Sequence, residues 1–207
     1  MTRTEQEEFW AGGFGDAYVD RNQGEARVAS NTALFSRVLR AARPIGSVLE
    51  LGANIGMNML ALRNLLPSAS FAAVEINQQA VQALRHIPRV QVHPVSIFEL
   101  GDVGVHDLVL CKGVMIHIAP EKLPDLYDLM YRTSRRYLCL AEYYSPRPVE
   151  ISYRGHEGKL FKRDFAGELL DRFAGLRLVD YGFAWHRDPL CPQDDLNWFL
   201  LEKTEQT

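Results

Sequence analysis

The chain has 207 residues, 47% of them hydrophobic, with 23 Lys and Arg against 26 Asp and Glu and a formal net charge of -3. That size and apolar content suit one globular domain, residues 1–207, with a sizeable core. The acidic balance gives no overall field for nucleic acid, and no apolar stretch reaches the roughly 18 residues that a membrane span requires.

The first residues, MTRTEQEEFW, are polar and acidic and lack the apolar core of a signal peptide. Residues 1–46 read as an N-terminal helical extension, running through GGFGDAYVDRN to ARVASNTALFSRVLRAA. SVLELG (47–52) is an apolar strand ending in glycine, and MNMLALRNLL (57–66) follows with helical spacing up to Pro67. SFAAVEI (70–76) is the next strand and QQAVQALRHI (78–87) the next helix, stopped by Pro88. VQVHPV (90–95) and HDLVLCKG (106–113) read as strands. A helix is expected over 123–136, after Pro120, followed by a strand YLCLAEYY (137–144). Residues 145–163, SPRPVEISYRGHEGKLFKR, form a polar insertion, and DFAGELLDRF (164–173) is a helix with Asp164 near its cap. LRLVDYGFAWHRD and LNWFLLEK close the chain as two strands, expected as a hairpin on the sheet edge.

Seven strands, the first five separated largely by helices of about ten residues, predict an α/β fold with a mostly parallel sheet covered on both faces. Such sheets bind ligands beyond the carboxyl ends of their strands. Cys111 and Cys139 lie in apolar runs and read as packed core thiols; with Cys191 they form no close pair, which fits a reducing, cytoplasmic setting. No set of His, Cys, Asp and Glu has metal-ligand spacing, so no metal is expected.

LELGANIGMN (49–58) places Glu50, Gly52, Ala53, Asn54 and Gly56 in one turn after the first strand. A dinucleotide fingerprint would need a third glycine. A carboxylate in front of the turn opposes a pyrophosphate and suits a cationic ligand. S-adenosylmethionine carries an ammonium and a sulfonium against one carboxylate. Glu75 ends the second strand, where an acid can accept hydrogen bonds from both ribose hydroxyls. Alternatively, both acids are ordinary surface groups and Gly52 a plain turn glycine.

These segments resemble class I S-adenosylmethionine-dependent methyltransferases over residues 45–144: VLELGANIGMN their first motif, VEIN the second, VSIFEL the adenine loop and DLVLCKGVMIHI the fourth. The resemblance implies a Rossmann-like seven-stranded sheet with a C-terminal antiparallel hairpin. It also implies S-adenosylmethionine as cofactor, with contacts from Ile76, Ser96, Ile97, Lys112 and Gly113 besides the turn residues and Glu75. Over nearly the whole chain, EEFWAGGFGDAYVDRN, the KGVMIHIAPEKL to KLFKRDFAGELL stretch and LVDYGFAWHRD resemble the pseudaminic acid biosynthesis-associated methylases. That family implies a small acceptor tied to nonulosonic sugar biosynthesis, with acids where Gly13 and Ala17 stand here.

Methyl transfer needs an acceptor aligned in line with an activated methyl. His117 follows the fourth strand and is a candidate base, or else packs and positions the cofactor. Tyr143 and Tyr144 end the fifth strand and either line the transfer pocket, Tyr144 as a catalytic group, or pack there. Trp10, Phe14, Tyr18 and Arg21 form either a lid over the methionine end, with Arg21 on its carboxylate, or a helix on the domain edge. Tyr153, Arg154, His156, Lys159, Lys162 and Arg163 of the insertion are candidate contacts for an acidic acceptor, or a solvated face. The expected partner is a small molecule, not nucleic acid or a membrane; the oligomeric state is open. The competing readings are a methyltransferase-like binding protein without turnover and a nicotinamide-dependent oxidoreductase.

Overall fold

The computed structural model of the protein describes residues 3–21, 23–42 and 44–204. Three helices precede the sheet: α1 (Glu5–Ala11), α2 (Gly13–Arg21) and α3 (Glu25–Leu39). β1 (Ser47–Leu51), α4 (Met57–Leu65), β2 (Ser70–Val74), α5 (Gln78–Leu84) and β3 (Val90–His93) follow in strict alternation. β4 (His106–Lys112), α6 (Leu123–Thr133) and β5 (Ser134–Glu142) continue the pattern. A short ladder of β6 (Val149–Glu150) and β7 (Phe161–Lys162) lies within the insertion, ahead of α7 (Phe165–Arg172), β8 (Leu176–Ala184) and β9 (Leu196–Lys203).

The main sheet has the order β3-β2-β1-β4-β5-β9-β8, with β1 to β5 parallel and β9 and β8 antiparallel at one edge. The chain runs outward from β1 to β3, then returns to place β4 on the other side of β1, which makes β1 and β4 the switch point. Alternate residues of each strand face opposite layers. Leu49, Leu51, Val109, Cys111, Leu138 and Leu140 pack against α6 and α7. Val48, Leu108, Leu110, Tyr137 and Cys139 pack against α3 and α4. Both thiols are buried, as their apolar runs predict. Among the described residues, no helix is long and apolar enough to cross a membrane.

Two expectations are corrected. The helix expected to reach residue 136 ends at Thr133, and Ser134 already pairs with His106 in the sheet. The Ser134 hydroxyl donates to the Tyr137 carbonyl (3.0 Å), and Arg136 reaches across to Glu202 on β9. The helical spacing of SRR loses to strand pairing with β4. The insertion also carries a ladder, since Val149 and Glu150 pair with Lys162 and Phe161. Asp164 caps α7 as expected, accepting the Gly167 N–H at 2.9 Å.

Candidate functional site

The turn after β1 needs three residues with positive φ: Gly52 (73°), Asn54 (47°) and Gly56 (84°). The N–H groups of Gly52 and Ala53 both donate to the Val74 carbonyl, at 2.9 and 3.0 Å, which ties the turn to the end of β2. A Cβ on Gly52 would lie 2.5 Å from Val114 Cγ2, and one on Gly56 would lie 2.3 Å from Ile87 Cδ1. Gly52 therefore lets the turn pass the loop after β4. Gly56 is a correction: it does not line the cavity, and its missing side chain admits residues at the end of α5 against the start of α4.

The cavity this turn borders lies at the carboxyl ends of β1, β2 and β4 and is roofed by α1 and α2. Gly52, Ala53, Asn54, Glu75, Ile76, Ser96, Ile97, Lys112 and Gly113 are all on its wall. Glu75 is held from both sides: Oε2 accepts the Asn54 N–H at 2.7 Å and Oε1 accepts the Asn77 N–H at 2.8 Å. A carboxylate has about four lone-pair sites, so accepting capacity remains for a ribose hydroxyl. Burial raises its pKa against these hydrogen bonds.

Glu50 is placed differently from the expectation. It is fully buried beneath the wall rather than on it. Oε1 accepts from Asn58 Nδ2 at 2.6 Å, while Glu50 Oε2 and Asn58 Oδ1 are both sealed and without a partner. Burial lifts the Glu50 pKa to about 8, opposed by the Asn58 hydrogen bond and by Lys112. Asn58 lines the cavity, so Glu50 reaches the site through that amide. A buried carboxyl beneath the wall opposes an anionic phosphate and favours a cationic group nearby.

The cations on the wall are Lys112 and Arg27. Burial lowers the Lys112 pKa, and the amine forms no salt bridge among the described residues. Arg27 pairs with Asp194 at 3.4 Å. The sequence pattern points to Arg21 instead, yet Arg21 is exposed at the last turn of α2, with its guanidinium over the Phe14 ring at 5.7 Å. One helical turn into α3, Arg27 takes the place on the wall. No local signal distinguishes it from the other arginines of the extension.

Trp10 and Tyr18 roof the cavity, their rings 5.2 Å apart. The roof is anchored by side chains that sequence reasoning missed. Ser96 donates from Oγ to Glu7, and Asn77 Nδ2 donates to Asp16 Oδ1 at 2.8 Å. Phe14 lies behind Trp10, packed on Phe9 at 4.1 Å.

His117 lines the cavity with its ring 4.6 Å from Trp10 and 4.9 Å from Tyr153. Its Nδ1 lies 2.6 Å from the Lys159 carbonyl oxygen, and burial lowers its pKa to about 4. Tyr144 is a correction: it is 42% exposed, near Phe199, and off the cavity wall.

The insertion residues also stand off the cavity wall. Tyr153 backs His117, His156 packs on Phe9 and Phe14, and Lys159 pairs with Glu5 at 3.2 Å. Arg163 pairs with Glu168 at 2.7 Å, Arg154 lies over the Tyr153 ring, and Tyr143 lies under Lys162. Much of the expected free positive charge is thus committed to ion pairs and rings within the protein.

The chain matches 1,6-didemethyltoxoflavin-N1-methyltransferase of Burkholderia thailandensis, solved with 1,6-didemethyltoxoflavin and S-adenosylhomocysteine, at 19% identity and a TM-score of 0.71, covering 99% of this chain and 93% of that one. It matches magnesium protoporphyrin IX methyltransferase of Synechocystis PCC 6803, with bound S-adenosylhomocysteine, at 13% identity and a TM-score of 0.69, covering 96% and 97% of the two chains. The plantazolicin methyltransferase BpumL matches at 11% identity and a TM-score of 0.66, covering 97% and 94%. The fold is that of the class I methyltransferases. No protein-family model matches the chain, and no curated protein matches it. Glu50, Lys112 and Glu142 lie at the carboxyl ends of β1, β4 and β5, and Glu75 directly follows β2.

Proposed function

We propose that the protein is an S-adenosylmethionine-dependent methyltransferase acting on a small polar, acidic metabolite. The observation that carries this reading is the pair of buried acids at the ends of β1 and β2. Glu75 is fixed on the cavity wall by backbone donors, and Glu50 lies buried beneath the wall, bonded to Asn58. The first suits a ribose and the second suits the cofactor's ammonium. When bound, the cofactor supplies a methyl group made electrophilic by its sulfonium. Trp10 and Tyr18 lie over the site.

An acidic acceptor is supported by Lys112 and Arg27, the cations that face the cavity, more than by the insertion. A nonulosonic sugar or its nucleotide-activated form has that chemistry, and the resemblance to the pseudaminic acid-associated methylases favours it. His117 is the candidate base, since it is the imidazole on the wall.

The test is ligand-dependent stability. S-adenosylhomocysteine at 100 times its Kd raises unfolding stability by about 2.7 kcal/mol, whereas NAD leaves it unchanged. Stabilisation by NAD alone would replace this reading with the oxidoreductase. Binding without transfer of labelled methyl into any component of a metabolite extract would favour a binding protein.

A further inference from the structure

We propose that the insertion, through the Lys159 carbonyl, sets His117 as the proton acceptor for a hydroxyl-bearing acceptor, so that the methyl group is delivered to oxygen. This rests on the methyltransferase reading. The geometry is direct. A carbonyl oxygen only accepts, so the 2.6 Å contact requires the proton on Nδ1. In the neutral ring, Nε2 is then a bare lone pair. Nε2 has no partner among the described residues, nor is it one of the sealed unpaired atoms, and His117 lies on the cavity wall. The Trp10 and Tyr153 rings, which also touch each other, both pack against the imidazole.

The carbonyl is positioned by groups of the insertion and of α1. Gly158 N–H donates to Glu150 Oε1 at 2.5 Å, and Lys159 Nζ pairs with Glu5 at 3.2 Å. Gln6 Nε2 adds a bond to the Gly158 carbonyl at 2.9 Å. The insertion thus acts on the base through its backbone, a positioning role, while its charged side chains hold it against α1.

The proton balance selects the acceptor atom. The acceptor oxygen forms the new C–O bond as the methyl–sulfur bond breaks, and the electron pair stays on sulfur in a neutral thioether. The hydroxyl proton passes to Nε2 and later leaves to water, while Nδ1 keeps its own. Burial makes His117 a weak base, with a pKa near 4. A hydroxyl oxygen gaining a methyl becomes strongly acidic, and so weak a base suffices for it. An amine gaining a methyl becomes an ammonium that keeps its proton at neutral pH, and His117 would have no part to play.

The first readout is nitrogen NMR of the His117 imidazole in the unliganded protein. A protonated Nδ1 and bare Nε2 are expected; the Nε2–H form would overturn the inference. In the double variant Glu150→Ala/Lys159→Ala, the Nε2–H form should gain population while affinity for S-adenosylhomocysteine stays within about twofold. An unchanged tautomer there would mean that the insertion does not set it. His117→Asn keeps a donor for the Lys159 carbonyl and deletes Nε2. It should lower transfer of labelled methyl into a metabolite extract about 100-fold without loss of S-adenosylhomocysteine affinity. Full transfer by that variant, or a wild-type product labelled on nitrogen, would sink the proposal. A wild-type protein that does not bind S-adenosylhomocysteine fails the parent reading instead, a result the tautomer measurement cannot mimic.

Discussion

Glu50 sits beside the cavity with one oxygen bonded to Asn58 and the other without a donor, and burial lifts its pKa to about 8. Near neutral pH the unliganded protein therefore holds a proton there. A ligand ammonium favours the carboxylate, so binding expels that proton. Affinity for S-adenosylhomocysteine should then rise as pH goes from about 6 to about 8. Calorimetry in two buffers of different ionisation heat would read the released proton. Glu50→Gln should abolish the slope, and a flat wild-type profile would separate Glu50 from the ligand. Gly52 tests the turn in another way. At φ 73°, and with Val114 Cγ2 2.5 Å from any added Cβ, Gly52→Ala strains the loop itself. It should cost about 1–3 kcal/mol in urea unfolding, besides any loss of ligand. Binding data on Gly52 variants therefore need that stability measured alongside.

Helix α1 has seven residues and buries none of them fully, so packing alone holds it weakly. Its stability is local. Thr4 and Glu7 form a capping box, with the Glu7 N–H donating to Thr4 Oγ1 at 3.2 Å and the Thr4 N–H donating to Glu7 Oε2 at 2.8 Å. The same Glu7 carboxylate accepts from Ser96 in the loop after β3, so one side chain both starts the helix and pins it over the cavity. Glu7→Ala should cost about 1 kcal/mol in that helix. Amide exchange across Glu5–Ala11 should speed up, and S-adenosylhomocysteine should bind several-fold more weakly. Exchange confined to its wild-type rate would show that the aromatic contacts of Phe9 and Trp10 suffice.

Across the whole molecule, the buried ionisable groups at the strand ends pull stability in opposite directions with pH. Burial raises Glu50 to about 8 and Glu142 to about 7, the latter against bonds from the Val114 and Met115 N–H groups. Both are raised above their unfolded value, so their contribution is full below about pH 4.5 and is lost as pH rises through 7 and 8. His117 is lowered to about 4 by burial, so its contribution is full above about pH 6.5 and is lost on acidification. From pH 6.5 to 8 the carboxyl pair lowers stability, and Lys112, whose pKa burial lowers, acts in the opposite sense. The unliganded protein should therefore lose Tm across that interval, and saturating S-adenosylhomocysteine should flatten the loss by favouring ionised Glu50. Scanning calorimetry at the two pH values, with and without ligand, decides this. A Tm that rises over the interval would mean that Lys112 outweighs the two acids.

The alternation of apolar strands and helices was legible in the chain itself, because a strand buried on both faces must be apolar throughout and a covering helix must carry one apolar stripe. The glycine turn and Glu75 were legible for a similar reason: positive φ and a carboxylate at a strand end are local requirements, written in adjacent residues. What the tertiary structure decided were the long-range partners. Gly56 faces the end of α5, Arg27 rather than Arg21 reaches the cavity, and Tyr144 turns outward. Lys159 and Arg163, which read as free charge, find Glu5 and Glu168. The tautomer of His117 depends on a carbonyl 42 residues away. A sequence states which groups can donate, accept or carry charge; which of them meet is settled only when the sheet order brings their strand ends and loops together.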